Sequence, residues 1–228
     1  MLIIAVGGFL GFVFTQLSFA MGLQYTTPVN FSLIVALGPM VVMLLSAIFL
    51  KEKITRNKII GIVLAISGVL LLILNVENAG RGKNDLLGIL LAFVNITCLA
   101  IYMIITKKVS QKYTPITLVK WMFLFSLFML MPFGIKNLFT EKIFSGEATF
   151  PAISAFSFVL VFSTVVTYFL FPIALKRLKA TTVSIYMNLQ PIIASTVAII
   201  IGQDVFTWDK LIAALLVISG VYIVTQKG

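Results

Sequence analysis

The chain has 228 residues, 61% of them hydrophobic and 11% charged, at a mean hydropathy of +1.14. A soluble domain of this length cannot hide so much apolar surface, so an aqueous globular protein is excluded. The formal charge of +10 is not a nucleic-acid signature, because no basic stripe with interleaved aromatic residues accompanies it.

Eight runs are long and apolar enough to cross a hydrocarbon core as helices. Segment A covers 1 to 21, B 28 to 50, C 59 to 76, D 86 to 106, E 115 to 135, F 152 to 174, G 181 to 202 and H 210 to 226. Segment A ends near a small-x-small triplet, Ser18-Phe19-Ala20, but lacks the basic start of a signal peptide. Segments B and G carry Pro39 and Pro191 in mid-run, where a proline frees a carbonyl and bends a helix. Segment D holds the one cysteine, Cys98, so no intramolecular disulfide can form. Lys120 stands within the first turns of segment E, near its cytoplasmic end, where its ammonium can snorkel to the interface. The runs are apolar on all sides instead of alternating, which favours helices over barrel strands. The expected fold is all-α, a polytopic helix bundle with the lipid bilayer as its partner.

Basic residues beside short loops mark the cytoplasmic side of a membrane protein. Lys51, Lys53, Arg56 and Lys58 follow B; Lys107, Lys108 and Lys112 follow D; Lys176, Arg177 and Lys179 follow F; and Lys227 follows H. The intervening loops hold only Arg81, Lys83, Lys136, Lys142 and Lys210, with six of the seven acids: Glu77, Asp85, Glu141, Glu147, Asp204 and Asp209. Both chain ends are therefore expected in the cytoplasm. The seventh acid, Glu52, lies in a cytoplasmic turn among Lys51, Lys53 and Arg56, and an interfacial salt bridge is its expected role.

"LAISGV" at Leu64 to Val69 returns as "LVISGV" at Leu216 to Val221, an offset of 152 residues. At the same offset Ser32, Pro39, Thr55, Lys58 and Gly68 meet Ser184, Pro191, Thr207, Lys210 and Gly220, without a gap. Segments A, B and C thus correspond to F, G and H. G comes five spans after B, an odd number, so the two copies lie opposite ways up. Basic "KEKITRNK" after B and acidic "QDVFTWDK" after G agree with that inversion. Inverted repeats are a mark of secondary transporters, where two equivalent halves exchange conformations around a central site. Gly61, Ala65 and Gly68, like Ala213 and Gly220, form small-residue stripes for close helix packing.

The small-residue "TTP" connection, "FLKEKIT" and "GIVLAISGVLL", with "KATTVSIYMNLQP" and "GQDVFTWDKLIAALLVISGVYIV" as second copy, resemble the drug/metabolite transporter superfamily of the EamA type. The resemblance implies a bacterial plasma-membrane protein of five plus five helices that exports small metabolites or amino acids by alternating access. Here the first unit, residues 1 to 76, has three segments and the second, 86 to 226, has five, so two N-terminal helices are expected to be missing. A fragment of a longer protein is the favoured explanation. A non-transporting structural membrane protein or an inactive fragment is the alternative.

The resemblance also places a cavity between the halves. Polar side chains inside a bilayer are expensive and face cavities or other helices. Gln16, Asn95, Tyr102, Tyr168, Tyr186, Asn188 and Gln190 are the expected substrate-binding groups, each with interhelical bonding as an equal alternative. On segment G, Ser184, Asn188, Pro191 and Ser195 share one helix face, matched on B by Ser32, Ala36, Pro39 and Met43. Pro39 and Pro191 mark equivalent bends beside the cavity. These groups are neutral, which suits an amino acid or a similar small metabolite as substrate.

Enzyme chemistry has no support. The sequence has no histidine, the cysteine has no basic partner and no pair of aspartates lies in a span, so neither a catalytic residue nor a metal or other cofactor is expected. The charge pattern predicts that a cysteine replacing Arg56 is labelled by an impermeant thiol reagent only from the cytoplasmic side, and one replacing Lys142 only from outside. The opposite pattern would refute this topology.

Overall fold

The computed structural model describes residues 1–74, 83–138, 149–202 and 207–226. The loop charges Glu77, Arg81, Glu141, Lys142, Glu147, Asp204 and Lys227 lie outside the described residues. All secondary structure among the described residues is helical. In chain order the helices are α1 (Leu2–Tyr25), α2 in two halves (α2a, Pro28–Val35; α2b, Gly38–Phe49), α3 (Arg56–Leu74), α4 (Asp85–Ser110), α5 (Pro115–Leu138), α6 (Phe150–Arg177), α7 in two halves (α7a, Ala180–Met187; α7b, Gln190–Ile200) and α8 (Trp208–Thr225). Among the described residues five stretches are long and apolar enough to span a membrane by themselves: α1, Asn30–Phe49, α4, α6 and α8. The protein is a polytopic helical membrane bundle.

Local chemistry sets the helix ends. The Thr27 side chain accepts from the Asn30 N–H at 3.2 Å, with Pro28 opening α2a, and Asn84 caps α4 by accepting from the Leu87 N–H at 3.2 Å. Asp85 in the first turn of α4 and Lys107 and Lys108 in its last complement the helix dipole. Asp85 also ties α4 to the start of α2: its Oδ1 accepts from Thr26 Oγ1 at 2.7 Å and Asn30 Nδ2 at 3.4 Å.

Prolines break α2 and α7 at corresponding places. Pro39 and Pro191 have no N–H to return to the carbonyls four residues back, those of Val35 and Met187. The chain tightens into a turn instead: the Leu37 N–H bonds the Ile34 carbonyl at 3.0 Å, and the Leu189 N–H bonds the Tyr186 carbonyl at 3.1 Å. Each partner in the second turn is the repeat counterpart of its equivalent in the first. The same offset relates two widened, π-helical stretches, Phe9–Phe14 in α1 and Val159–Val166 in α6. Each is followed by a threonine whose hydroxyl reaches five residues back, Thr15 to the Leu10 carbonyl and Thr167 to that of Phe162.

The closest helix pair is α3 with α8. A β-carbon added at Gly61 would stand 2.5 Å from the Gly220 carbonyl oxygen, and one added at Gly220 would stand 2.5 Å from that of Gly61. One added at Gly68 would lie 2.7 Å from the Ala213 carbonyl oxygen and 2.8 Å from a Val217 methyl. Contacts run from Gly61 against Gly220 to Gly68 against Ala213, so the helices are antiparallel. They are also reciprocal: Ala213 is the repeat counterpart of Gly61, and Gly220 is that of Gly68. Two apolar clusters make the core, one joining α1, α2b, α4, α5, α6 and α7a, the other built around this seam and joining α2, α3, α7 and α8. In the apolar window of α6 only 12% of residues are buried, against 39% in α1.

Gly220→Val drives a side chain into backbone and lowers stability by at least about 2 kcal/mol, since overpacking costs roughly 1–3 kcal/mol even where side chains can move. Gly38→Ala, whose new carbon meets nothing within 4 Å, leaves the melting temperature in detergent unchanged. Equal melting of both variants would contradict the seam.

Candidate functional site between two helix bends

Both proline turns open onto one cavity of about 220 Å³. Ser32, Ala36 and Pro39 of α2 face Ser184, Asn188 and Pro191 of α7 across it, and Gln190 adds a second amide. Val69 and Ile73 of α3 form one wall, and Ile96, Leu99 and Met103 of α4 another. No charged side chain is among the described residues that line it. Asn188 is only 7% exposed, yet its Nδ2 has no hydrogen-bond partner. A buried amide donor left unpaired costs about 1–3 kcal/mol, a cost a ligand carbonyl or carboxylate can remove.

Of the seven residues expected to bind substrate, Asn188 and Gln190 line this cavity, together with the bends Pro39 and Pro191. The other five stand elsewhere. Asn95 ties α4 to α1, donating from Nδ2 to the Thr15 carbonyl at 2.7 Å and to Ser18 Oγ at 3.4 Å. Tyr102 is 2% exposed within an aromatic cluster, stacked on Phe171 at 5.6 Å and beside Phe12 at 5.7 Å. Tyr168 meets Phe12 edge-on at 4.3 Å. Its hydroxyl accepts a long, 3.4 Å bond from Gln16 Nε2. That bond joins two counterparts under the sequence repeat. Tyr186 is 45% exposed on the outer surface of α7a. Met43, placed on the cavity face by the sequence pattern, packs instead in the cluster between α2, α3, α7 and α8; the Ser195 side chain lies outside the described residues.

Two features escaped the sequence reading. The apolar liners, such as Met187 and Leu99, carry no signal in a chain where apolar residues are the rule. Glu52 does form an ion pair, but with buried Lys58 at 3.0 Å and not with Lys51, Lys53 or Arg56, all of them exposed. The spacing of six residues across the α2–α3 turn could have suggested it.

The two kinds of buried asparagine separate in a simple experiment. Asn95→Leu removes the 2.7 Å interhelical bond to the Thr15 carbonyl, lowering stability by about 1–3 kcal/mol. Asn188→Leu removes an unpaired donor, and the melting temperature holds or rises. A loss as large as that of Asn95→Leu would mark Asn188 as a packing residue.

Comparison with known proteins agrees with this architecture. The chain is 28% identical over 226 residues to the uncharacterized transporter YyaM of Bacillus subtilis, covering 96% of this chain and 70% of that protein. It is 29% identical over 196 residues to an uncharacterized transporter of Archaeoglobus fulgidus, covering 86% of this chain and 67% of that one. A solved crystal structure superimposes with a TM-score of 0.79 at 16% identity, covering 97% of this chain and 75% of the other, which is a likeness of fold. The EamA-like transporter family is matched over residues 1–74 and 86–226, nearly the whole chain, and the protein belongs to that family.

Proposed function

We propose that this membrane transporter works by alternating access, exporting small neutral or zwitterionic metabolites such as amino acids. The observation that carries the reading is the cavity itself, formed where two broken helices bend at Pro39 and Pro191. Broken helices around a mid-membrane site are a recurrent device of secondary transporters. The correspondences at the repeat offset support two units of opposite orientation, 1–76 and 86–226, in an eight-span bundle.

The lining selects the substrate class. An amide donor and serine hydroxyls, beside carbonyls the prolines leave without their usual N–H partners, offer both signs of polar partner without a full charge. A fixed net charge on the ligand would find no counter-ion. The cavity volume is below the roughly 300–1,000 Å³ of sites for drug-sized ligands, which favours a small metabolite. The basic loops, gathered at one end of the bundle, support a cytoplasmic location for both chain ends in a bacterial plasma membrane.

Counterflow in proteoliposomes, using a panel of radiolabelled amino acids, tests the reading. Uncharged side chains are expected to be carried in preference to acidic or basic ones, and Asn188→Leu is expected to lower uptake by about tenfold, the worth of one hydrogen bond of about 1.4 kcal/mol. No counterflow by any neutral amino acid, or undiminished counterflow in Asn188→Leu, would count against the reading.

A further inference from the structure

Below the cavity, toward the basic loops, the bundle is sealed by apolar residues such as Val42, Val109 and Val183, with buried hydroxyls set among them. On α2 the cavity residues Pro39 and Val42 continue at helical spacing to Ser46; on α4, Leu99 and Met103 continue to Thr106 and Ser110; on α7a, Asn188 and Ser184 lead back to Thr181. Ser46, Thr106, Ser110 and Thr181 are all fully buried at 0% exposure. Among the described residues Ser46 Oγ has no hydrogen-bond partner, and Thr106 Oγ1 has none within bonding distance, the Tyr102 hydroxyl one helical turn away being its polar neighbour. Three stripes that bring buried hydroxyls together between the same helices, two of them with hydroxyls lacking a partner among the described residues, are what a partly polar passage becomes when it closes.

Glu52 stands at the end of these stripes. Its Oε1 accepts from the Ala180 N–H at 3.0 Å, and its Oε2 accepts from Thr181 Oγ1 at 2.9 Å and Lys58 Nζ at 3.0 Å. One carboxylate therefore holds the first turn of α7a against the α2–α3 turn, and a negative charge at a helix start is favourable. The turn that presents it contains Lys51 at φ +56°, a conformation that residues with a β-carbon avoid. The Glu52 N–H returns to the Ser46 carbonyl at 3.2 Å. α7a itself is a half-helix of eight residues, gripped by Glu52 at one end and hinged on the Pro191 bend at the other. An ion pair serving only as a surface staple needs none of the contacts to α7a.

Resting on the alternating-access reading, we propose that the inner half of the transport path runs between α2b, α4 and α7a, past Ser46 and Thr106, and that Glu52 is the latch that keeps it shut. Release of Ala180 and Thr181 lets α7a swing on its bend, wets the two orphaned hydroxyls and joins the cavity to the basic-loop side. Glu52 acts here through α7a as a positioning residue, without touching substrate.

The test uses the full chain in oriented vesicles with Cys98→Ala as background and an impermeant maleimide added to one side at a time. Thr106→Cys reports the inner path and Ser32→Cys the cavity. Adding Glu52→Gln is expected to raise labelling of Thr106→Cys from the basic-loop side about tenfold, the scale of losing a charge-assisted hydrogen bond. At the same time labelling of Ser32→Cys from the opposite side falls. General loosening would raise both rates and overturn the latch, as would no change in either. A rise at Thr106→Cys with Ser32→Cys unchanged would keep the latch and defeat the alternation it is paired with. If Glu52→Gln does not yield folded protein, Thr181→Val, which removes one bond and keeps the ion pair, decides by the same two rates with a smaller rise.

Discussion

The glycine contact between α3 and α8 is the constraint on which the other packing rests. In lipid the tails are as apolar as leucine, so helices gain little from merely hiding side chains and associate through close packing and polar bonds. Gly61 against Gly220 and Gly68 against Ala213 bring the backbones within reach of one another. Because each residue of the first helix meets the counterpart of the other, the contact is of the self-complementary kind found on two-fold axes. Antiparallel packing of two helices with the same sequence pattern is also what units of opposite orientation require. With α3 and α8 joined in this way, the bends of α2 and α7 fall opposite each other, and the cavity is the space left between them.

Polar groups are arranged according to the same economy. Most of those buried in the bundle are paired: Asn95 with α1, Asp85 with Thr26 and Asn30, Ser126 with the Met122 carbonyl, Glu52 with Lys58 and α7a. Four buried side-chain atoms among the described residues are not: Asn188 Nδ2, Ser46 Oγ, Thr106 Oγ1 and Tyr102 Oη. The first faces the cavity, and the next two lie on stripes leading from it toward Glu52. Three of the four thus lie along one line through the protein, where a passing solute or water can serve as partner, while the Tyr102 hydroxyl stands beside it in the aromatic cluster.

Much of this was legible in the sequence, for physical reasons that also mark the limits. Spans and bends follow from hydropathy and from proline's missing N–H, both local properties, and the repeat offset found in the letters reappears in turns, widened helices and interhelical contacts. Asn188 and Gln190 could be placed beside the bend because they sit within one turn of Pro191. Asn95, Tyr102 and Tyr168 look the same on a helical wheel but face α1 and its aromatic residues, and which neighbour a helix face meets is decided by packing, not by periodicity. Glu52 illustrates the same limit: nearby lysines suggested its partner, whereas the fold supplied Lys58 and the first turn of α7a.

The opposed orientation of the two repeated helices is the central claim, and a distance between spin labels tests it most directly. In a Cys98→Ala background, one label replaces Asn57 at the start of α3 and a second replaces either Gln226 or Trp208, at the two ends of α8. At about 1.5 Å per residue the ends of α8 lie roughly 27 Å apart, well within the resolution of electron–electron double resonance. Antiparallel packing predicts a short distance for the Asn57–Gln226 pair and one longer by roughly 15 Å for the Asn57–Trp208 pair. The reverse order would mean that α3 and α8 run parallel, and the inverted arrangement would be wrong.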